Sequence, residues 1–375
     1  MKILFTGDLF LGGDLDKSFE PEAVPLDLFK EADKVIVNLE SPLSSNDFFS
    51  KKGVLYASPE SVKNLVDWNI AAVNLANNHI QDKGNDGIIE TISLLHKNNI
   101  GSFGAGRDIY TASQPYYLNE KLCIIGYCQY AAPTLTIIQL ADENNPGVNP
   151  LNVEKIMKDL ASIPDDVKVI LHFHWGQEHL WLPDHNIIKM ARQLLRHPKV
   201  CLIVGMHPHR IQGYISEAGK KCFFCLGNFL FPNFYIAPPS ILHYPSEKIE
   251  KTDITRQYHP VSKVTYKKWR LKNRVSYLVQ YNAAINKSVL IPVVQSDNKP
   301  AIRTLAGIKK TSIFFFLRLL SFTYELPAGL YIPLQKLNIF ISIKRWSLYN
   351  HFFTIRQDGM NPVWKKIKKR FNKKS

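Results

Sequence analysis

The chain has 375 residues, 45% of them hydrophobic, with 47 Lys and Arg against 32 Asp and Glu. Such a length buries a substantial core and suits one large domain with an appendage. No stretch of eighteen uncharged apolar residues occurs, which excludes an ordinary transmembrane helix.

The formal net charge of +15 is unevenly held. Residues 1–240 carry 21 Lys and Arg against 26 Asp and Glu, whereas residues 241–375 carry 26 against 6. A mildly acidic globular part is therefore expected to precede a strongly basic C-terminal third, and the two to do different jobs.

In chain order, Met1 to Asp8 turns polar too soon for a signal peptide and reads as a first strand ending at Gly7-Asp8. Lys34 to Val37 ends at Asn38-Leu39-Glu40, and Ala71 to Ala76 ends at Asn77-Asn78-His79. Beyond Asp82, the spacing of Ile88, Ile92 and Leu95 predicts a helix. Leu122 to Tyr127 is a further buried strand, and residues 129–150 form a long loop expected as a rim or lid. Val167 to Phe173 ends at His174-Trp175-Gly176-Gln177-Glu178. Asp184 to Leu195 is an amphipathic helix stopped by His197-Pro198. Val200 to Val204 ends at Gly205-Met206-His207-Pro208-His209, and Cys222 to Leu226 at Gly227-Asn228-Phe229. Short strands alternating with helices indicate an α/β sheet.

After Phe231 the character changes. Pro232, Pro238, Pro239 and Pro245 mark about 232–250 as a linker. Lys263 to Arg274 is a basic strand or turn region, Ser276 to Tyr281 alternates like a strand, and Ser288 to Val294 reads as its neighbour. Residues 313–349 are apolar and aromatic, and Trp364 to Lys374 is a short basic amphipathic segment.

In open α/β sheets the C-terminal strand edge is where ligands bind. Six of the seven apolar runs end there in a hydrogen-bonding or metal-competent residue. Asp8, Glu40, Asn78, His174, His207 and His209 supply the carboxylate, carboxamide and imidazole donors that hard or borderline divalent ions take. His79 would suit a general acid or a stabiliser of charge on the transferring group. Asp82 could orient His79 or the turn, and Glu178 could accept from a ligating histidine.

Blander roles are expected elsewhere. Asn38, Asn74 and Asn77 read as turn or backbone-bonding residues, and His172 as structural. His185, His197, His243, His259 and His351 have no companions, and Trp175 and Phe229 read as packing walls. The five cysteines sit mostly in apolar runs, and Cys222-Phe223-Phe224-Cys225 lacks the second pair that a zinc site needs. Buried, reduced thiols and a cytoplasmic address follow, with peripheral placement on the inner face of the membrane as an extension of it.

Taken in order, Gly7-Asp8, Asn38-Leu39-Glu40-Ser41-Pro42, Asn77-Asn78-His79 with Asp82 and Gly84, His174-Trp175-Gly176 with Glu178, Gly205 with His207-Pro208-His209, and Leu226-Gly227-Asn228-Phe229 resemble the CapA family. This is the poly-gamma-glutamate capsule biosynthesis (PgsA-like) family, a branch of the calcineurin-like metallophosphoesterases. The resemblance covers about residues 1–235 and implies a four-layer α-β-β-α sandwich of the metallo-dependent phosphatase type, followed by a basic C-terminal extension at 236–375. It implies one or two divalent ions (Mn, Zn or Fe) on Asp8, Glu40, Asn78, His174, His207 and His209, with His79 in the place of the acid histidine. The wider superfamily opens with Asp-x-His, and here Phe10 stands where that histidine would be.

The expected function is a metal-dependent hydrolase acting on an anionic polymer or glycopolymer of the cell envelope. The alternative is a non-catalytic component of polymer synthesis or export that keeps the fold. The basic C-terminal region, with Phe, Trp and Leu interleaved, is expected to meet an anionic membrane surface or polyanion. No recognised nucleic-acid-binding motif accompanies the charge, which leaves nucleic acid out of the expected partners.

Overall fold

The computed structural model describes residues 1–18, 21–48, 54–130, 138–238, 241–243, 261 and 263–358. Two sheets form its centre. In the eight-stranded sheet, Lys2–Leu9, Lys34–Leu39, Ala72–Asn74 and Gly101–Phe103 run parallel as neighbours. In the six-stranded sheet, Leu122–Cys128, Lys168–His174, Val200–Met206 and Lys220–Phe223 are the parallel strands. The strand ends read from the sequence are therefore gathered on shared edges.

The period-two alternation of each strand decides which core it feeds. Ile3, Phe5 and Ile36 from the first sheet share a buried cluster with Ile124, Ile170, Leu202 and Val204 from the second. Leu4, Val35 and Val37 point the other way, into a cluster with Phe29, Leu65, Ile88 and Leu95. Val169, Leu171 and Ile203 do the same on the second sheet, with Ile156, Ile188, Leu194 and Leu195. Each fully buried side chain of this size contributes about 1.5–3 kcal/mol.

The helices follow their sequence signals. His185–Arg196 buries Ile187, Ile188, Ala191, Leu194 and Leu195, and the Asp184 side chain caps it by accepting from the Asn186 amide. Gly84–Lys97 buries Ile88 and Leu95, and Ile92 packs partly buried against the same cluster.

The C-terminal third is more integrated than its composition suggests. Val275–Asn282 pairs antiparallel with Lys2–Leu9, and Lys287–Gln295 and Ile302–Thr304 extend the same sheet. The core thus continues past residue 235, and Tyr277, Val279 and Tyr281 are part of the cluster between the sheets. The expected linker is also partly structured: Phe234–Ala237 pairs with Ile241–His243 and Thr265–Lys267, because Phe234 packs with Phe10, Phe231 and Trp269. Residues 244–260, and the Trp364 to Lys374 segment, lie outside the described residues. Gly307–Thr323 and Ala328–Asp358 are helices, and no helix of the described residues is long and apolar enough to cross a membrane. Within the 129–150 connection, Gly147–Val148 pairs with Ala105–Gly106, and residues 131–137 lie outside the described residues. The five cysteines are buried and form no disulfide among the described residues.

Candidate metal centre

Asp8 reaches the site through an irregularity. The register of Lys2–Leu9 shifts between Phe5 and Asp8, and Asp8 then pairs with Asn228 while its amide donates to the Gly227 carbonyl at 3.0 Å. A side chain at Gly7 would collide with that same carbonyl, so the close approach requires glycine. Asn38 Nδ2 donates to Asp8 Oδ1 at 2.9 Å, and Asn74 Nδ2 donates to Asn38 Oδ1 at 2.7 Å. Asn38 is thus a positioning residue inside the site, and Asn74 supports it while also making the expected turn, accepting from the Ala76 amide at 3.3 Å.

The opposite sheet supplies the histidines. His174 ends its strand, and its Nε2 lies 2.8 Å from Asn78 Oδ1 and 3.0 Å from His207 Nδ1. His209 Nδ1 lies 2.8 Å from Asn228 Oδ1 and 3.2 Å from Asp8 Oδ2. Glu40 joins the two halves: its Oε1 is 3.4 Å from His209 Nε2 and 3.9 Å from His174 Nε2. His207 and His209 adopt φ of 97° and 52°, a left-handed region that costs a non-glycine residue about 1–3 kcal/mol.

Two groups of potential ligand atoms result: Glu40 with His174 and His207, and Asp8 with Glu40 and His209. The donor set fits a divalent ion. Two imidazole nitrogens 3.0 Å apart, an amide oxygen and a carboxylate converge with few hydrogens to share among them. Burial, then the neighbouring histidine charges, holds His174 well below the usual imidazole range, and burial brings His207 to about 4. Both rings therefore offer lone pairs at neutral pH. Burial opposes the charge on His209, yet Glu40 and Asp8 raise it to about 10.

His79 stands beside this cluster in sequence and is 1% exposed. Its Nδ1 is 2.7 Å from Asp82 Oδ2, which also accepts from the Leu55 amide at 2.6 Å. Asn77 fixes the turn, accepting from the His79 amide and donating to the Leu39 carbonyl. Glu178 Oε2 lies 3.6 Å from His179 Nε2, and its charge also acts upward on His207 and His209.

Three contributors escaped the sequence reading, and a fourth, Asn228, entered it only as a strand end. The His179 ring sits 5.7 Å from that of His209, and Asn273 Nδ2 contacts both His179 Nδ1 and the His209 carbonyl at 3.0 Å. Lys267 is buried; desolvation lowers it to about 8 while Glu178 and Glu40 pull it up. Asn228 was legible, since it closes the Gly227-Asn228 strand end. His179 adjoins a motif residue and could have been found there. Lys267 and Asn273 carry no local signal, because they arrive from the basic third.

A paired carboxylate and imidazole centre at the joined edges of two sheets is the class of site this fold presents. Residues 2–233 match the bacterial capsule synthesis protein PGA_cap family, and the chain belongs to that family. It is 28% identical over 246 residues to the PGA biosynthesis protein CapA of Bacillus subtilis (strain 168), covering 60% of this chain and 62% of that protein. It is 26% identical over 215 residues to the capsule biosynthesis protein CapA of Bacillus anthracis, covering 54% and 51%. The chain thus spans roughly half to three fifths of the length of these curated relatives. Among solved structures, TT1561 of Thermus thermophilus aligns at 11% identity and a TM-score of 0.40, over 77% of this chain and 97% of that one.

Proposed function

We propose that this chain is a metal-dependent hydrolase acting in the biosynthesis of capsule, poly-gamma-glutamate or another anionic cell-envelope polymer. The observation that carries this reading is the sharing of Glu40 between two ligand groups, each of which joins carboxylate from the first sheet to imidazole from the second. The names of the Bacillus relatives support the polymer. The three buried clusters, one between the sheets and one outside each, support a four-layer sandwich of the metallo-dependent phosphatase type.

In this reading Asp8, Glu40 and His209 hold one divalent ion, and Glu40, His174 and His207 a second, with Asn78 beside His174. Such ions (Mn, Zn or Fe) supply Lewis-acid polarisation of the scissile group. Asp82 stabilises the protonated His79 ring through Nδ1, which leaves Nε2 to deliver a proton to the leaving group. Asn38 and Asn228 orient Asp8 and His209. Glu178 acts on the outer side through His179.

The test is a screen of phosphodiester and amide substrates with metal-loaded protein. Turnover should fall about 10²- to 10⁴-fold in His79→Gln with metal content unchanged. Metal-loaded wild-type protein that turns over nothing would favour the second reading, a non-catalytic component of polymer synthesis or export. One observation supports that alternative: Phe10 offers no ligand and instead packs against Phe231 at 5.0 Å in an aromatic cluster.

The reading also has a location. Phe315, Phe322, Phe340 and Phe352 are exposed on the two C-terminal helices, in the third of the chain that carries the positive charge. Apolar side chains beside basic ones support an anionic membrane surface as a partner.

A further inference from the structure

A second concentration of chemistry lies behind the His209 limb. A pocket opens between Arg210, the Leu271–Arg274 turn of helix and the long helix Ala328–Asp358. Arg210, Lys268, Arg270, Lys272 and Arg345 line it, with Trp181 and Trp346 among its walls. Arg210 is 5% exposed and forms the floor, its guanidinium over the Trp181 ring at 4.8 Å. Its Nε has no hydrogen-bond partner among the described residues.

The ion pairs formed here show what is unusual about the rest. Arg274 and Lys268 both reach the Asp297 carboxylate, at 3.5 and 3.3 Å. Of the five pocket cations only Lys268 has such a partner; Arg210, Arg270, Lys272 and Arg345 form no ion pair with a carboxylate among the described residues. They act on one another instead: burial, then the charges of Arg210, Arg270 and Arg345, brings Lys272 down to about 8. Four like charges around one cavity, one of them desolvated, destabilise the fold unless an anion completes the arrangement.

We propose that this pocket binds a phosphoryl group, carried by a lipid headgroup or by a soluble phosphate. Three guanidinium groups and an ammonium without a carboxylate partner, lining one pocket, suit a compact, multiply charged tetrahedral oxyanion. A polycarboxylate chain, whose charges are spread along its length, would call for a basic strip. Both sources are sterically reasonable. Arg345 shares its helix with the exposed Phe340 and Ile343, so a headgroup would meet the pocket where apolar side chains meet the lipid. The pocket also shares a wall with the metal centre, since Asn273 and His179 line it and contact the His209 limb. Its anion binding does not depend on hydrolysis at that centre.

The experiment uses the full chain, stripped of metal and dialysed free of chelator, so that no ion at Glu40 can hold the anion. Tryptophan fluorescence and calorimetry follow a titration with inorganic pyrophosphate, and co-sedimentation follows phosphatidylcholine vesicles with and without phosphatidic acid. Saturable binding in at least one arm is expected. It should weaken about tenfold or more in Arg345→Glu, the loss of one charge-assisted contact, and by about twofold in Lys344→Glu, an equal charge change on the same helix outside the pocket. Binding in the pyrophosphate arm alone names a soluble phosphate, and in the vesicle arm alone a lipid headgroup. No saturable binding in either arm, equal losses in the two variants, or tighter binding of a short oligoglutamate than of pyrophosphate would overturn the proposal.

Discussion

Glu40 is the residue on which the two halves of the centre depend, because its Oε1 faces His209 from one side and His174 from the other. Two positions away from that cluster in sequence, His172 shows how differently the same side chain behaves without partners. It is fully buried against Phe103, neither ring nitrogen has a hydrogen bond among the described residues, and burial lowers it to about 3. The unfolded chain protonates it near its ordinary value of about 6.5. Between those values the unfolded state binds the extra proton, so His172 costs nothing above about pH 6.5 and destabilises the fold increasingly as pH falls toward 3. His172→Leu should therefore flatten the loss of unfolding free energy across that window, read by denaturant titration at several pH values. An unchanged slope would contradict the buried, neutral assignment. At this scale the sequence was informative about chemistry and silent about strain. Alternation separated His174 from His172 poorly, since both lie on one strand face, and only the strand end distinguishes them. The left-handed backbone of His207 and His209 left no trace in residue type.

Among the elements, the strand ends were the legible part. Apolar runs that stop at Asp, Glu, Asn or His mark a shared edge because parallel strands end on the same side of a sheet. Packing within the second sheet is close there. A side chain at Gly205 would strike the Phe224 carbonyl and the Trp175 indole, whose Nε1 donates to that carbonyl at 2.9 Å. Gly205→Ala should lower stability by about 1–3 kcal/mol and displace the turn that carries His207 and His209. Thermal unfolding and metal content should fall together; loss of neither would show that the close packing is not what positions the turn. Prolines carry less weight than packing in two other elements. Pro333 lies inside the helix Ala328–Asp358, which holds because Tyr331 is buried with its hydroxyl donating to the Pro183 carbonyl at 2.7 Å, and because Gln335 reaches Asp184. Likewise Phe234–Ala237 is a strand despite the prolines around it, since its aromatic packing with Trp269 outweighs their local preference.

For the whole molecule, charge divided the chain where packing does not. The change from acidic to basic near residue 240 is real, yet Val275–Asn282 hydrogen-bonds directly to the first strand and fills the core between the sheets. Such long-range pairing has no local signature. A chain ending at residue 235 should lack a cooperative thermal transition, and a sharp transition near that of the full chain would show that the first part folds alone. The exposed face of the C-terminal helices leads to a separate expectation: Phe340→Ser with Phe352→Ser should reduce co-sedimentation with anionic vesicles about tenfold or more while leaving thermal unfolding unchanged. Equal binding would remove the membrane from the account. The most direct test of the central claim is elemental analysis of purified wild-type protein and Glu40→Gln. The account requires divalent metal at both ligand groups in the wild type and its loss from both in the variant, with the fold intact by circular dichroism. Equal metal content in the two proteins would contradict it.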